Sequence, residues 1–248
     1  MAEVKIFVSI RDRADCTRDC VDSLIATTQG QADIWLFDNG SKLEFEYLNL
    51  LYLNWLKRGD VQQVILNRPD QIPGMYWSKN YSWAQFLALT APLDELERRY
   101  LVMMDNDTIA EEGWLKASLG VLNNDDALKL GVRVVSPYDG PPDPSTDPEI
   151  YKILLTETIA GHSVQIRDAV TSRCLVAREA FWRQWAPPTW EKISRGGKPD
   201  RMPTDWYYWT KMREAGQQFA VISPALVHDP TGHWKSARMG NGIGEDSQ

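Results

Sequence analysis

Residues 100–107 read Tyr100-Leu101-Val102-Met103-Met104-Asp105-Asn106-Asp107. An unbroken apolar run followed by two carboxylates one residue apart describes a short strand buried on both faces that ends in an acidic turn. Two carboxylates so spaced at a strand end can both reach one hard cation. Oxygen donors of this kind suit Mg2+ or Mn2+, which keep open positions for the phosphates of a substrate. A simple polar turn is the other reading of the same residues.

The stretches on either side repeat one pattern. Residues 4–10 (VKIFVSI) are a β-rich run and predict a first strand; Asp15 can cap the helix after it, whose apolar face is Cys16, Cys20, Val21, Leu24 and Ile25. Residues 33–37 (DIWLF) predict a second strand that ends in the turn Asp38-Asn39-Gly40-Ser41. Residues 43–58 predict a well-buried helix closed by Gly59, residues 61–66 a third strand, and residues 76–89 a helix. After the acidic turn, residues 111–122 predict a helix with acidic residues in its first turn, and residues 130–135 a fifth strand. Strands alternating with helices at this spacing predict an α/β fold, a mixed and mostly parallel central sheet flanked by helices. Ligands of such sheets gather at the carboxyl ends of the strands, where the polar clusters after Ile10, Phe37 and Met104 fall.

The second half is less regular. Five prolines (137, 141, 142, 144 and 148) make residues 137–148 a loop. Residues 172–177 predict a strand, 179–185 a short helix, 204–215 a helix closed by Gly216, and 219–223 a strand. Residues 186–204 read as a flexible loop with Lys192, Arg195, Lys198 and Arg201, and the tail from Asn241 as disordered.

The chain has 248 residues, 43% of them hydrophobic and 25% charged, and a net charge of −7, which excludes a protein held to nucleic acid by bulk positive charge. No apolar run is long enough for a membrane helix, and the N-terminus enters a strand-like run with no leader in view. Three cysteines (Cys16, Cys20 and Cys174) without a C-x-x-C spacing exclude a zinc knuckle, and the odd count fits a reducing, cytoplasmic compartment. The sequons at Asn39, Asn80 and Asn106 then read as chance matches. There is no G-x-G-x-x-G after the first strand, no P-loop and no G-x-S-x-G.

Taken in chain order, these segments resemble the GT-A glycosyltransferases, in particular the large inverting family 2. The matching stretches are residues 8–13 (VSIRDR), 34–41 (IWLFDNGS), 74–80 (GMYWSKN), 101–115 (LVMMDNDTIAEEGWL), 173–181 (RCLVAREAF), 204–216 (TDWYYWTKMREAG) and Val227-His228. The opening lacks the family's proline, and Thr204 stands where a glutamate is usual. The resemblance implies a single GT-A domain over residues 1–240, with a nucleotide-sugar donor half (1–110) and an acceptor half (111–240), followed by a tail at 241–248.

It also implies roles. Asp38 would bond the base or ribose of the donor, with Ile10, Arg11 and Arg13 walling that pocket. Lys79, Asn80 and Asn106 would lie beside the donor. Asp105 would contact ribose and metal-bound water, Asp107 would ligate Mn2+ (or Mg2+) on the diphosphate, and His228 would be a further ligand. Lys235 and Arg238 would pair with the leaving diphosphate. Asp205 would be the general base that deprotonates an acceptor hydroxyl, giving an inverting displacement.

Six of the eleven tryptophans (182, 185, 190, 206, 209 and 234) follow residue 180. Trp206 and Trp209, three apart on the Asp205 helix, are candidate acceptor-binding faces, although core packing accounts for most such residues. The donor is a nucleoside-diphosphate sugar, with a UDP-sugar favoured. The acceptor classes are a saccharide or glycolipid, a protein side chain, or a hydroxymethylated base in DNA of phage type, which would have to be flipped out of the duplex. A nucleotidyltransferase is the rival enzyme, disfavoured because Arg11-Asp12-Arg13 carries no glycine. A catalytically inactive nucleotide-sugar-binding module is the rival outside enzymes, disfavoured by Asp105, Asp107, Asp205 and His228 occurring together.

Overall fold

β1 (Glu3–Ile10) sends Val4, Ile6, Val8 and Ile10 to one face of a sheet and Phe7 to the other, the period-two alternation of a strand covered on both sides. The computed structural model describes residues 3–42, 45–67, 75–90, 99–139, 151–185, 194–195, 198–199 and 204–229. After β1 come α1 (Ala14–Thr28), β2 (Asp33–Asp38), α2 (Phe45–Arg58), β3 (Gln63–Leu66), α3 (Met75–Leu89), β4 (Arg99–Asp105) and β5 (Ile109–Ala110). The chain continues with α4 (Trp114–Leu122), α5 (Asp125–Lys129), β6 (Val132–Ser136), β7 (Ile153–Ile159), β8 (His162–Arg167), β9 (Cys174–Arg178) and α6 (Glu179–Gln184). Last are β10 (Ser194–Arg195), β11 (Lys198–Pro199), α7 (Thr204–Glu214), β12 (Gln218–Ser223) and β13 (Val227–His228).

Nine strands form one sheet in the order β3-β2-β1-β4-β9-β6-β12-β8-β7. The first four run parallel, as do β6 and β12. β9 is antiparallel to both β4 and β6, and β8 is antiparallel to β12. The core is split by the sheet. One side packs α1, α2, α4 and α5 residues such as Leu24, Tyr52, Trp114 and Ala127. The other is rich in aromatic rings: Phe7, Phe37, Trp83, Phe86, Trp182 and Tyr208. Trp83 and Trp182 meet edge to face at 5.0 Å, and the Trp182 indole donates to the Leu101 carbonyl at 2.9 Å.

The structure departs from the sequence expectations where local signals compete. α1 is not capped by Asp15. Its N-cap is Arg13, which has left-handed backbone (φ 59) and no side-chain cap, and Asp15 lies inside the first turn. α2 buries only Leu48, Tyr52 and Trp55, a stripe at helical spacing, and leaves Leu50, Leu53 and Leu56 exposed. α4 starts at Trp114, not at residue 111, because residues 109–110 pair with β13 and Gly113 (φ 83) breaks the chain direction before the helix. The β7–β8 hairpin was not anticipated, since its turn Ala160-Gly161 (φ 52 and 83) lacks the Asn-Gly or Asp-Gly signature. Most of the 137–148 and 186–204 loops, and the tail, lie outside the described residues.

At the amino end of β4, Arg99 donates to the fully buried Glu179 at 2.9 Å and to Glu3 at 3.0 Å. Arg183 also bonds Glu179 and reaches the carbonyls of Leu87 and Thr90. Removing one partner of such a network leaves a buried charge uncompensated. Glu179→Ala should therefore lower the urea-unfolding free energy by about 3–5 kcal/mol with an unchanged m-value. The acidic turn at the other end of β4 should be undisturbed in the folded fraction, because Asp105 lies roughly 20 Å from Arg99 along that strand.

Candidate active site

At the carboxyl ends of β1, β2 and β4 the turns are stitched to one another. The β1–α1 turn holds Asp12 and Arg13 at φ 54 and 59, two successive non-glycine residues in the left-handed region. It is held there from both sides. The Asp12 amide donates to Ser41 Oγ at 2.7 Å, and the Lys42 amide donates to Asp12 Oδ1 at 2.8 Å, which ties it to the β2–α2 turn. Asn106 Nδ2 donates to the Asp12 carbonyl (3.3 Å) and to Thr17 Oγ1 (2.8 Å), which ties it to the end of β4.

Into this frame the chain brings three carboxylates and three cations. Arg13 Nη1 donates to Asp107 Oδ2 at 2.8 Å. Arg173, just before β9, places Nη1 3.3 Å from Asp107 Oδ1 and 3.1 Å from Asp229 Oδ2. Its guanidinium carbon lies 5.5 Å from the centroid of the Tyr138 ring. Lys79 of α3 is bonded to Asp105 and donates to the Ser172 carbonyl (2.8 Å) and hydroxyl (3.2 Å). Burial pushes the Asp105 carboxyl above its ordinary value; the charge of Asp107 adds to the rise, and Lys79 and Arg173 oppose it.

The predicted residues fall into groups. Arg13, Lys79, Asp105, Asn106 and Asp107 converge on this cluster. His228 does not join it. β13 pairs antiparallel with β5, His228 opposite Ile109, and His228 Nε2 lies 2.9 Å from Glu111 Oε1. Side chains alternate across a strand, so the next residue, Asp229, is the one that meets Arg173 beside Asp107. Of the expected metal set, Asp105 and Asp107 lie in this cluster and His228 is turned toward Glu111. Among the described residues no group of three or more His, Cys, Asp or Glu side chains stands ready to hold a metal.

Asp38 is 1% exposed and both its oxygens are engaged, one by the Ser41 amide (2.7 Å) and the other by the Tyr52 hydroxyl (2.9 Å), so it holds its own turn. Ile10 is buried in the core and Arg11 is exposed. Trp209 is 7% exposed, and its indole donates to the Val170 carbonyl; it packs in the aromatic core, not on an acceptor surface. The backbones of Asn80, Asp205 and Trp206 lie in α3 and in the first turn of α7, and their side chains, like Lys235 and Arg238, lie outside the described residues.

Sequence reading missed three features. Arg173 and Asp229 are the joint between the two halves of the cluster. A buried polar cluster of Asn39, Asn67 and Ser82 braces the tips of β2 and β3 against α3, with Asn67 Nδ2 donating to Asn39 Oδ1 (3.3 Å) and Ser82 Oγ (3.1 Å). The available signals were position alone: Arg173 immediately before a buried strand, and Asp229 next to a strand-end histidine.

The donor set suits a divalent ion. Asp107 and Asp229 present oxygens to a common point, and Asp229 Oδ1 is buried with no hydrogen-bond partner among the described residues. Ions such as Mg2+ are commonly held by one or two carboxylates plus substrate phosphates, with no all-protein cage.

No protein-family model matches this sequence, and no curated protein matches it either. Solved structures do share its fold. The mannosyltransferase PcManGT from Pyrobaculum calidifontis, in complex with GDP-Man and Mn2+, is similar with a TM-score of 0.55 and 12% identity, over 95% of this chain and 59% of that one. GalNAc-T7 with UDP, GalNAc and Mn2+ gives 0.58 and 14%, over 92% and 43%. S. aureus TarS 1–349 in complex with UDP-GlcNAc gives 0.51 and 12%, over 90% and 56%. The chain thus spans less than two thirds of each of these proteins. The likeness is one of fold, and the fold is GT-A.

The tip of β4 is also held from behind. Cys20 Sγ donates to the Asp105 carbonyl at 3.6 Å, and burial pushes its thiol up to about 12. Cys174, equally buried, is pushed up as well. Because the thiol of Cys20 ionises more readily unfolded than folded, its contribution to stability is complete below pH 9 and is lost as pH rises toward 12. Ellman's reagent at pH 8 should leave Cys20 and Cys174 unreacted in the native protein and titrate all three thiols in urea; fast native labelling of either residue contradicts this packing.

Proposed function

We propose that this chain is a metal-dependent glycosyltransferase that moves a sugar from a nucleoside-diphosphate sugar to an acceptor hydroxyl. The observation that carries the reading is the convergence of Asp105, Asp107 and Asp229 with Lys79, Arg13 and Arg173 at the strand tips of a GT-A fold. Three solved proteins of that fold hold GDP-Man, UDP or UDP-GlcNAc, two of them with Mn2+.

Asp107 and Asp229 would hold Mn2+ or Mg2+, with Asp105 beside them. When bound, the ion supplies charge neutralisation at the leaving diphosphate. The chain's own residues do the rest. Arg13 and Arg173 stand where they can reach diphosphate oxygens, and Lys79 fixes Asp105 against Ser172, which gives the donor a rigid floor. Asp205, at the start of α7, takes the proton from the acceptor hydroxyl, and the oxygen attacks the anomeric carbon in line with departure of the diphosphate. Lys235 and Arg238, later in the sequence, would pair with the same leaving group. On this reading residues 1–110 bind the donor and 111–240 receive the acceptor.

For the donor we favour a UDP-sugar. For the acceptor we favour a hydroxymethylated base in DNA, with a saccharide or glycolipid as the alternative. The DNA reading is supported by Lys192, Arg195, Lys198 and Arg201 in an otherwise acidic chain. Binding to duplex DNA that weakens steeply with salt is its expected sign, and salt-insensitive or absent retardation counts against it.

Thermal unfolding tests the whole. UDP or GDP with Mn2+ at a hundred times Kd should add about 2.7 kcal/mol, a rise of roughly 5–10 °C in Tm. Asp107→Ala should abolish that rise. Asp205→Ala should keep it while donor turnover falls by at least roughly a hundredfold, the usual worth of a general base.

A further inference from the structure

One nitrogen of Arg173 does the work of two ion pairs. Nη1 lies within 3.3 Å of a carboxylate oxygen of Asp107 and within 3.1 Å of one of Asp229. These are the oxygens a divalent cation would take. A guanidinium and a metal ion cannot both occupy the space between them. We infer that Arg173 is a resident placeholder cation: it closes the metal site in the empty enzyme, is displaced from Asp107 and Asp229 when the ion arrives with its nucleotide, and transfers to the diphosphate. This rests on the proposed nucleotide-sugar chemistry of the same site.

Three observations support it. The first is charge. Asp105, Asp107 and Asp229 face Lys79, Arg13 and Arg173, so the described cluster is balanced. A bare dication would overcharge it, whereas a dication carrying a nucleoside diphosphate brings its own negative charge. The second is anchorage. The Arg173 carbonyl accepts from the Asp105 amide at 2.9 Å, so the backbone stays anchored when the side chain moves. Its guanidinium, resting against the Tyr138 ring, stays beside the site after leaving the carboxylates. The third is Asp229 Oδ1, buried and, among the described residues, without a hydrogen-bond partner. Arg173 satisfies only part of that carboxylate, and the open oxygen is able to take a further cation contact.

Arg173 is therefore a positioning residue that sets the order of events: metal affinity is low until a diphosphate is present to receive the guanidinium. A merely structural arginine would, on removal, loosen the two aspartates and weaken metal binding. A placeholder predicts the opposite sign.

The test is Mn2+ titration followed by the EPR signal of the free ion, with and without UDP or GDP, on the wild-type chain, Arg173→Gln and Arg173→Lys. The wild type should bind Mn2+ at least tenfold more tightly with a nucleotide than without. Arg173→Gln should bind Mn2+ alone at least tenfold more tightly than the wild type and lose most of the nucleotide enhancement. Arg173→Lys, a point cation able to serve one carboxylate at a time, should fall between them and covers the case in which the glutamine variant does not fold. Nucleotide-enhanced binding in the wild type with no tightening in either variant overturns the placeholder and leaves the proposed function standing. No Mn2+ binding by the wild type with either nucleotide overturns both.

Discussion

Carboxylates that emerge from a buried sheet at neighbouring strand tips repel one another unless cations are built in between them. In this chain Asp105 and Asp107 leave β4 together, and Asp229 follows β13 into the same space. Arg13, Lys79 and Arg173, from three different segments, meet them there. This packing of alternating charge holds the β1–α1 turn, α3 and the entry to β9 in place, and the hydrogen bonds of Asp12, Ser41 and Asn106 close the same ring. The left-handed backbone at Asp12 and Arg13 persists because it is bonded from both sides and because it aims Arg13 at Asp107.

The two ends of β4 show two uses of charge. At the amino end Arg99, Glu179 and Arg183 form a closed network with Glu179 inaccessible to solvent; its donors and acceptors are used within the fold. At the carboxyl end the network is left incomplete at Asp229 Oδ1, and Asp105 and Arg13 retain exposure. A satisfied network fixes structure, whereas the open acceptor on Asp229 leaves this end able to take a further contact. The strand that joins them, apolar on both faces, transmits position but adds no chemistry of its own.

The parts of this arrangement written in local pattern were legible in the sequence. The β-rich apolar runs of β1, β2 and β4 and the acidic turn after Met104 are short-range signals, and they fall at the strand tips where the charged cluster lies. What was hidden depends on pairing. His228 and Asp229 are adjacent, and only the register of β13 on β5 decides which of them turns toward Asp107. Asp38 looked like a ligand-binding residue in its turn, but Tyr52, fourteen residues on, takes its second oxygen. Trp209, three residues from Trp206 on one helix, read either as an acceptor face or as core, and it packs in the aromatic core with its indole donating to the Val170 carbonyl. Arg173 opens the stretch RCLVAREAF but carries no local signal of its role; its place follows from β9 lying antiparallel to β4, which sets its carbonyl against the Asp105 amide.

Anomalous diffraction at the manganese edge, from crystals of the chain grown with UDP and Mn2+, addresses the central claim directly. The account predicts a single strong peak between the carboxylates of Asp107 and Asp229, with the Arg173 guanidinium turned onto the diphosphate. A peak beside His228 and Glu111, or nucleotide bound with Arg173 still bridging the two aspartates and no metal between them, would contradict it.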